Sequence, residues 1–405
     1  MAIDNKNKKV LNVPHLRFPE FTGEWKKYKL SETCSFFSGG TPSSSKKEYY
    51  DGNIPFIRSG ELHEEQTELF ITEDGYKNSA AKMVEVGDLL LALYGATSGD
   101  IAISKINGAI NQAILCIRTN QNKKFIESIW RKHVEKLLQT YLQGGQGNLS
   151  ADIVKNISFY FSRIEEQNKI AEFISLLDER IATQNKIIEK LQSLIKGLVD
   201  SLLENPSWEK VYLRSFMQFY STNSLSWEQL SYSNGNVRNL HYGLIHGFQT
   251  SMIDSTRLPR ILPNYLPKQD TMCQDGDVAF ADASEDTNEI GKAIELSNTI
   301  DVKTVCGLHT IHGRDIKQST ILGFKGFAFN SRYFHDQVRR LAQGTKVYSI
   351  TANNLSSCYV YIPDMIKQKN VVRLLNAYEE YLSLNRTQLN KNEIQKQYLL
   401  QQMFI

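Results

Sequence analysis

The chain starts again partway along its length, and this repetition constrains the fold more than any single motif does. Trp25-Lys-Lys-Tyr-Lys-Leu30 returns as Trp208-Glu-Lys-Val-Tyr-Leu213, an offset of 183. The same offset carries Gly52, Asn53, Ile54 and Gly60 onto Gly235, Asn236, Val237 and Gly243. Farther on, Val86-Gly87-Asp88-Leu89 answers Asp275-Gly276-Asp277-Val278 at 189, and Leu149-Ser150-Ala151 answers Ile350-Thr351-Ala352 at 201. Gln143-Gly144 and Gln343-Gly344 stand in the same series. Order is kept while spacing grows, as in a duplicated domain whose surface loops have lengthened unequally.

Within the first copy the apolar patterns are short and strand-like, at Asp88 to Tyr94 and Ala113 to Arg118, with one helical stretch from Phe125 to Leu142. The second copy repeats this with Asp277 to Phe280, Thr304 to Ile311 and a helix around Tyr333 to Ala342. Each copy is therefore expected to be a mixed α/β domain, mainly β.

Each copy then closes on a long helical stretch. In the first, Ile170, Phe173, Leu177, Ile181, Ile188, Leu191, Ile195, Leu198 and Leu202 follow alternating three and four spacing, with Gln184 at one polar position. This is a coiled-coil seam. Glu165 to Leu203 spans 39 residues, roughly 58 Å of helix at 1.5 Å per residue. Asn205-Pro206 then disfavours continuation. The second stretch, from about Asp364, carries Val371, Leu375, Tyr378, Leu382, Leu389 and Leu399 in the same rhythm, interrupted by Asn385 and Asn392.

The expected fold is α+β: two similar mixed α/β, mainly β domains separated by two long antiparallel coiled-coil helices, related by a pseudo-two-fold internal repeat. The expected boundaries are 1–162 and 205–362 for the globular domains, with helices at 163–204 and 363–405. Removing 364–405 should leave the first globular domain folded. With 405 residues, of which 41% are hydrophobic, the chain suits two cores better than one.

Five cysteines without a CxxC pair, an N-terminus lacking a signal-like apolar run, and no membrane-length apolar stretch point to a reduced, cytoplasmic protein. The net charge of +3 permits nucleic-acid binding without requiring it.

No catalytic constellation is visible. Holding an adenine amino group for methylation takes an Asp/Asn-Pro-Pro-Tyr/Phe loop, and none of the nine prolines adjoin. Gly144-Gly145-Gln146-Gly147 lacks the GK[ST] ending of a phosphate-cradling loop and reads as a turn. Cys306, His309 and His312 are metal-ligand types, but residues three apart in an extended segment point to opposite faces and a fourth ligand is missing, so no metal is expected. Glu165-Glu166 and Asp178-Glu179 read as a solvated helix face.

The opening RFPEFTGEWKKYKL (17–30), the VEVGDLLLA segment, the QGGQGNLSADIVKNI approach to the first helix, and the helix EEQNKIAEFISLLDERIATQNKIIEKLQSLIKGLVDSLL together resemble a type I restriction-modification specificity subunit, over nearly the whole chain. The resemblance implies a non-catalytic, DNA-binding protein whose two target recognition domains read the halves of a split double-stranded DNA site. The paired helices would serve as a ruler and dock two methyltransferase subunits, with restriction/translocase subunits in the full complex. S-adenosylmethionine and ATP with Mg would then belong to the partners, with no cofactor, metal or catalytic residue in this chain. Adenine methylation and restriction would be the partners' work.

Polar, loop-borne residues are the candidates for DNA contact: Lys46, Lys47, Arg58, Thr97, Ser98, Gln146 and Asn148 in the first copy; Arg238, His241, Tyr242, His246, Thr345, Lys346 and Tyr348 in the second. Arg, Asn and Gln suit bidentate base readout and Lys suits phosphate. Glu285, Asp286 and Glu289 place carboxylates in the same region, able to accept from cytosine. The rival reading is a coiled-coil adaptor that does not read DNA.

Overall fold

The computed structural model describes residues 11–142, 148–248, 250–266 and 271–405, which fall into two compact units. Unit 1 takes the chain up to Gln184 together with Gln388–Ile405; unit 2 is Asn185–Thr387. No helix among the described residues is long and apolar enough to cross a membrane.

Unit 1 opens with Lys26–Lys29 paired antiparallel to Ser158–Phe161. A four-stranded antiparallel sheet follows in the order Cys34–Ser38, Ile114–Thr119, Leu89–Ala92, Ile101–Ile103. All four residues of Leu89–Ala92 are buried because the sheet is covered on both faces. Successive side chains alternate between faces: Leu89 and Leu91 join a core with Trp25, Phe125 and Trp130, whereas Leu90 and Ala92 join a second cluster with Val84, Ile110 and Cys116. Helix Lys123–Leu142 supplies Phe125, Ile126, Ile129 and Trp130 to the first core. A second sheet runs Phe70–Ile71, Tyr50–Ile57, Gly108–Ile110, Lys82–Val84.

Unit 2 is built on the same frame. Glu209–Tyr212 pairs with Tyr359–Ile362. Its larger sheet runs Met217–Tyr220, Thr310–Asp315, Val278–Ala281, Ala293–Ser297, with Met252–Asp254 added in parallel at the edge. Alternation recurs too, Val278 and Phe280 facing one core and Ala279 and Ala281 another. The turn before the central strand needs a left-handed residue in both units, and glycine provides it at Gly87 (φ 90°) and Gly276 (φ 86°). Helix caps repeat as well: Ser150 caps Ala151–Asn156 and Thr351 caps Ala352–Ser356, each hydroxyl accepting an amide at 3.2 Å.

The two long helices span Ile164–Leu203 and Met365–Met403. Each enters through a buried glutamine. Gln167 donates to the Ser162 carbonyl and accepts from the Asn122 amide; Gln368 does the same with Pro363 and Ile321. Of the seam residues, Ile170, Ile188, Leu191, Val371, Leu375 and Leu382 are buried and the other nine are half-buried.

The helices do not form domains of their own with limits at 162, 204 and 362. Ile170 and Ile174 sit in the unit 1 core, Val199 and Leu203 in that of unit 2. The second helix gives Val371, Val372 and Leu375 to unit 2, then Leu400, Met403 and Phe404 to unit 1. Phe404 lies 5.1 Å from the Phe125 ring and 6.3 Å from that of Trp25, and Lys132 donates to its carbonyl at 2.6 Å. Asp178 pairs with both Lys124 and Lys396. Removing 364–405 would therefore strip the unit 1 core, which corrects the expectation that the first domain survives that deletion.

Phe404→Ala should lower the stability of unit 1 by about 3–5 kcal/mol, as for other fully buried aromatics. Tyr398→Ala, 61% exposed on the same helix, should stay within about 0.5 kcal/mol. Chemical denaturation followed by amide protection around Trp25 checks both.

Candidate nucleic-acid interface

In unit 1 the candidate residues fall into two places. Lys46 and Lys47 open the turn Lys47–Tyr49 and are exposed, with Lys46 Nζ donating to the Tyr49 hydroxyl at 2.9 Å. Thr97 and Ser98 lie on the turn after strand Leu89–Ala92. The Ser98 hydroxyl and the Leu149 amide both donate to the Leu93 carbonyl, at 3.0 Å each, which brings Asn148 beside this turn. The Asp100 carboxylate contacts His63 at 2.8 Å and joins the loop that follows Arg58 to the same group. Gln146 lies outside the described residues.

Arg58 does not offer a free fork to a base. Its guanidinium is held by Glu61 at 2.8 and 3.1 Å and by Glu68 at 2.8 Å. Burial alone would raise the Glu61 carboxyl, but Arg58, the amides of Glu68 and Arg58 and the Thr67 hydroxyl together bring it down to about 2.

In unit 2, His241 is only 3% exposed. Its Nδ1 accepts the Gly243 amide at the start of helix Tyr242–Gly247, and its ring stacks 4.6 Å from Trp227 and 4.7 Å from Tyr242. The ring is buried beneath Trp227 and Tyr242. Arg238 is likewise committed, donating to the Leu258 carbonyl. The other five candidates converge. Tyr242 meets the rings of His246 and His309 edge-on. His246 Nε2 contacts the Ala283 carbonyl at 3.2 Å, and Ala283–Ser284 pairs with Tyr348–Ser349, whose hairpin carries exposed Thr345 and Lys346.

Of the acidic residues, Glu289 is neutralised: contact with His246, then Lys292 at 2.9 Å, hold its carboxyl down to about 2. Glu285 and Asp286 remain exposed. Trp227, 45% exposed beside Tyr242, and His309, at 3.1 Å from Asp282, belong to this surface and were missed from sequence. Trp227 stands in a Ser-rich stretch that gives no hint of the buried histidine under it. His309 also parts from Cys306 and His312, which stay together inside the unit, joined by Cys273.

The two units repeat one electrostatic device. Asp88 accepts from Arg118 at 2.8 Å, and Asp277 from Arg314 at 2.7 Å. Burial opposes ionisation in each, but Arg118, the Glu85 amide and Lys123 together outweigh it at Asp88, as Arg314, His312 and the Gln274 amide do at Asp277, so both carboxyls sit below the usual range. These pairs tie the start of the central strand to the neighbouring strand in each unit.

Residues 22–193 match the type I restriction modification DNA specificity domain. The specificity subunit of the type I restriction enzyme MjaVIII from Methanocaldococcus jannaschii is 23% identical, over 94% of this chain and 91% of that protein. The EcoR124I/EcoR124II specificity subunit of Escherichia coli is 27% identical over 40% and 43%. Among solved structures, the S subunit of a type I restriction-modification system from M. genitalium aligns with a TM-score of 0.58 at 14% identity, covering 97% of this chain and 99% of that one.

Glu61 generates a pH prediction. Its carboxyl is depressed on folding, so its stabilisation is complete above the unfolded value near 4.5 and is lost as pH falls toward about 2. Glu61→Gln should remove that part of the acid sensitivity, flattening unit 1 stability across this window in a denaturation series at stepped pH.

Proposed function

We propose that this chain, whose residues 22–193 match the type I restriction modification DNA specificity domain and which aligns over 94% of its length with a type I specificity subunit, is itself such a subunit: it reads a two-part DNA target, one half per unit, and directs adenine methylation and restriction by partner subunits. The observation that carries this is the duplication itself. Two units share strand pairings, turn glycines and the aspartate–arginine pair, yet carry unlike side chains on their turns. Lys46, Lys47, Thr97, Ser98 and Asn148 in unit 1 face a different task from Trp227, Tyr242, His246, Lys346 and Tyr348 in unit 2. A common scaffold with divergent loops is what reading two different half-sites requires.

Specificity subunits are the non-catalytic components of such complexes, and DNA reading and assembly with other subunits come with the family. The finer assignment is that two methyltransferase subunits dock on the long helices, carrying S-adenosylmethionine, while ATP and Mg serve the restriction subunits. Apolar side chains left exposed on the helices support it: Leu176 and Leu194 on the first, Leu374, Tyr381 and Leu384 on the second, between 42% and 60% exposed.

Sequencing for N6-methyladenine in a methylation-deficient host that expresses this chain with its methyltransferase should give a split motif. Exchanging residues 26–161 for those of a relative should change one half of the motif alone. A stoichiometric complex that methylates no defined motif would favour the adaptor that does not read DNA. Lys47→Ala should weaken binding evenly across sequences and reduce the salt slope by about 0.9 if it meets one phosphate; fluorescence anisotropy at stepped salt measures it.

A further inference from the structure

Three side chains that bind soft cations converge in the interior of unit 2. Cys273, Cys306 and His312 are 5%, 2% and 0% exposed, and their ligand atoms all lie within 4.8 Å of one another. Backbone pairing fixes each of them. The Cys273 amide donates to the Thr304 carbonyl at 2.8 Å, Cys306 closes strand Thr304–Cys306, and His312 sits within Thr310–Asp315.

The two sulfurs are 3.7 Å apart. Two thiolates on one tetrahedral zinc, with Zn–S bonds of about 2.3 Å, stand about 3.8 Å apart. His312 Nε2 lies 2.7 Å from the Asp277 carboxylate, which leaves Nδ1, and this buried nitrogen has no hydrogen-bond partner. One ring nitrogen held by a carboxylate with the other free for a cation is the arrangement of a metal-ligating histidine. Without a cation, the buried nitrogen bears the full cost of desolvation.

The repeat supplies an independent argument. Leu240 pairs with Cys306 as Ile57 pairs with Ile110, and Ala279 with His312 as Leu90 with Cys116. Cys273 faces Thr304 as Val84 faces Gly108. The unit 1 equivalents of the three residues are therefore Val84, Ile110 and Cys116, which lie together in an apolar cluster. The frame needs only apolar filling at these positions, yet unit 2 places a ligand type at all three.

We infer that unit 2 holds a structural zinc ion on Cys273, Cys306 and His312. Two thiolates, a neutral imidazole and Zn²⁺ sum to zero charge, which suits a buried site, while Asp277 is already balanced by Arg314. Among the described residues no other histidine, cysteine or carboxylate joins the group, so a tetrahedral ion here would take a water molecule as its fourth ligand. The ion clips together the two sheets of unit 2, because Cys306 belongs to one and His312 to the other.

The test is zinc content of the full chain, purified in reducing buffer without chelator and refilled with zinc, by mass spectrometry of the metal. One zinc per chain is expected, and cobalt substitution should give the near-ultraviolet thiolate-to-metal absorption of a two-sulfur site. Cys273→Val with Cys306→Val, copying the apolar filling of unit 1, should lower bound zinc by roughly tenfold or more and abolish that absorption. Should this variant not fold, Cys273→Ser alone should about halve the thiolate band. A wild type that takes up no zinc, a valine variant with unchanged zinc and cobalt spectrum, or a Cys273–Cys306 disulfide in freshly denatured protein would each overturn the site.

Discussion

Both cores depend on the far end of a helix that starts elsewhere. Leu203, the last residue of one helix about 40 residues long, is fully buried in unit 2, and Phe404, just past the end of the other, is 1% exposed in unit 1. A stripe of Ile, Leu and Val at helical spacing is marginal alone in water and needs tertiary burial to persist. Here the burial is divided, the first half of each helix covering one core and the second half the other. Unit 1 is thus built from two separate stretches of chain, whereas unit 2 is the continuous segment Asn185–Thr387. Joining Trp25 to Phe404 closes a loop of nearly the whole sequence, but closure entropy grows only with the logarithm of length, so such a contact is sustainable.

The parts of this structure visible in the sequence are those governed by period. The repeat, the strands around Asp88 and Asp277, and the long helices all follow from apolar spacing and turn glycines, and the first helix begins within one residue of the expected position. Which loop residues stay free does not follow from period, because it depends on tertiary partners. His241 looked like an available ring on a loop; Trp227 covers it. Arg58 looked like a base-reading fork; Glu61 and Glu68 occupy it. Glu289 looked like a carboxylate able to accept from cytosine; His246 and Lys292 engage it. The helix ends at Leu203 and Phe404 continue the seam, but nothing in their spacing says whose core receives them.

The same limit explains Cys273. Cys306, His309 and His312 draw the eye because they are close in sequence, and an extended strand would send them to different faces. His309 does go elsewhere, to Asp282 on the surface. Its place is taken by a cysteine 33 residues before Cys306, brought in by the pairing of the segment before the Gly276 turn with strand Thr304–Cys306. Comparing the two copies reveals it: the offset of 189 carries Val84 onto Cys273, and the register brings that position beside Cys306.

A duplicated scaffold whose copies read different targets must let its loops drift while holding its strands. Between the first strand pair and the turn before the central strand, the offset grows from 183 to 189, and it reaches 196 at Thr310–Asp315. Unit 2 has acquired the edge strand Met252–Asp254 and the Ala283–Ser284 pairing with Tyr348–Ser349 along this stretch. Longer excursions leave more chain to order against the same two sheets, at a conformational cost of about 1–2 kcal/mol for each fixed backbone residue. A metal shared by Cys273, Cys306 and His312 joins the sheets where these excursions return, and so offsets in unit 2 a cost that unit 1, with its shorter loops and apolar Val84, Ile110 and Cys116, does not bear.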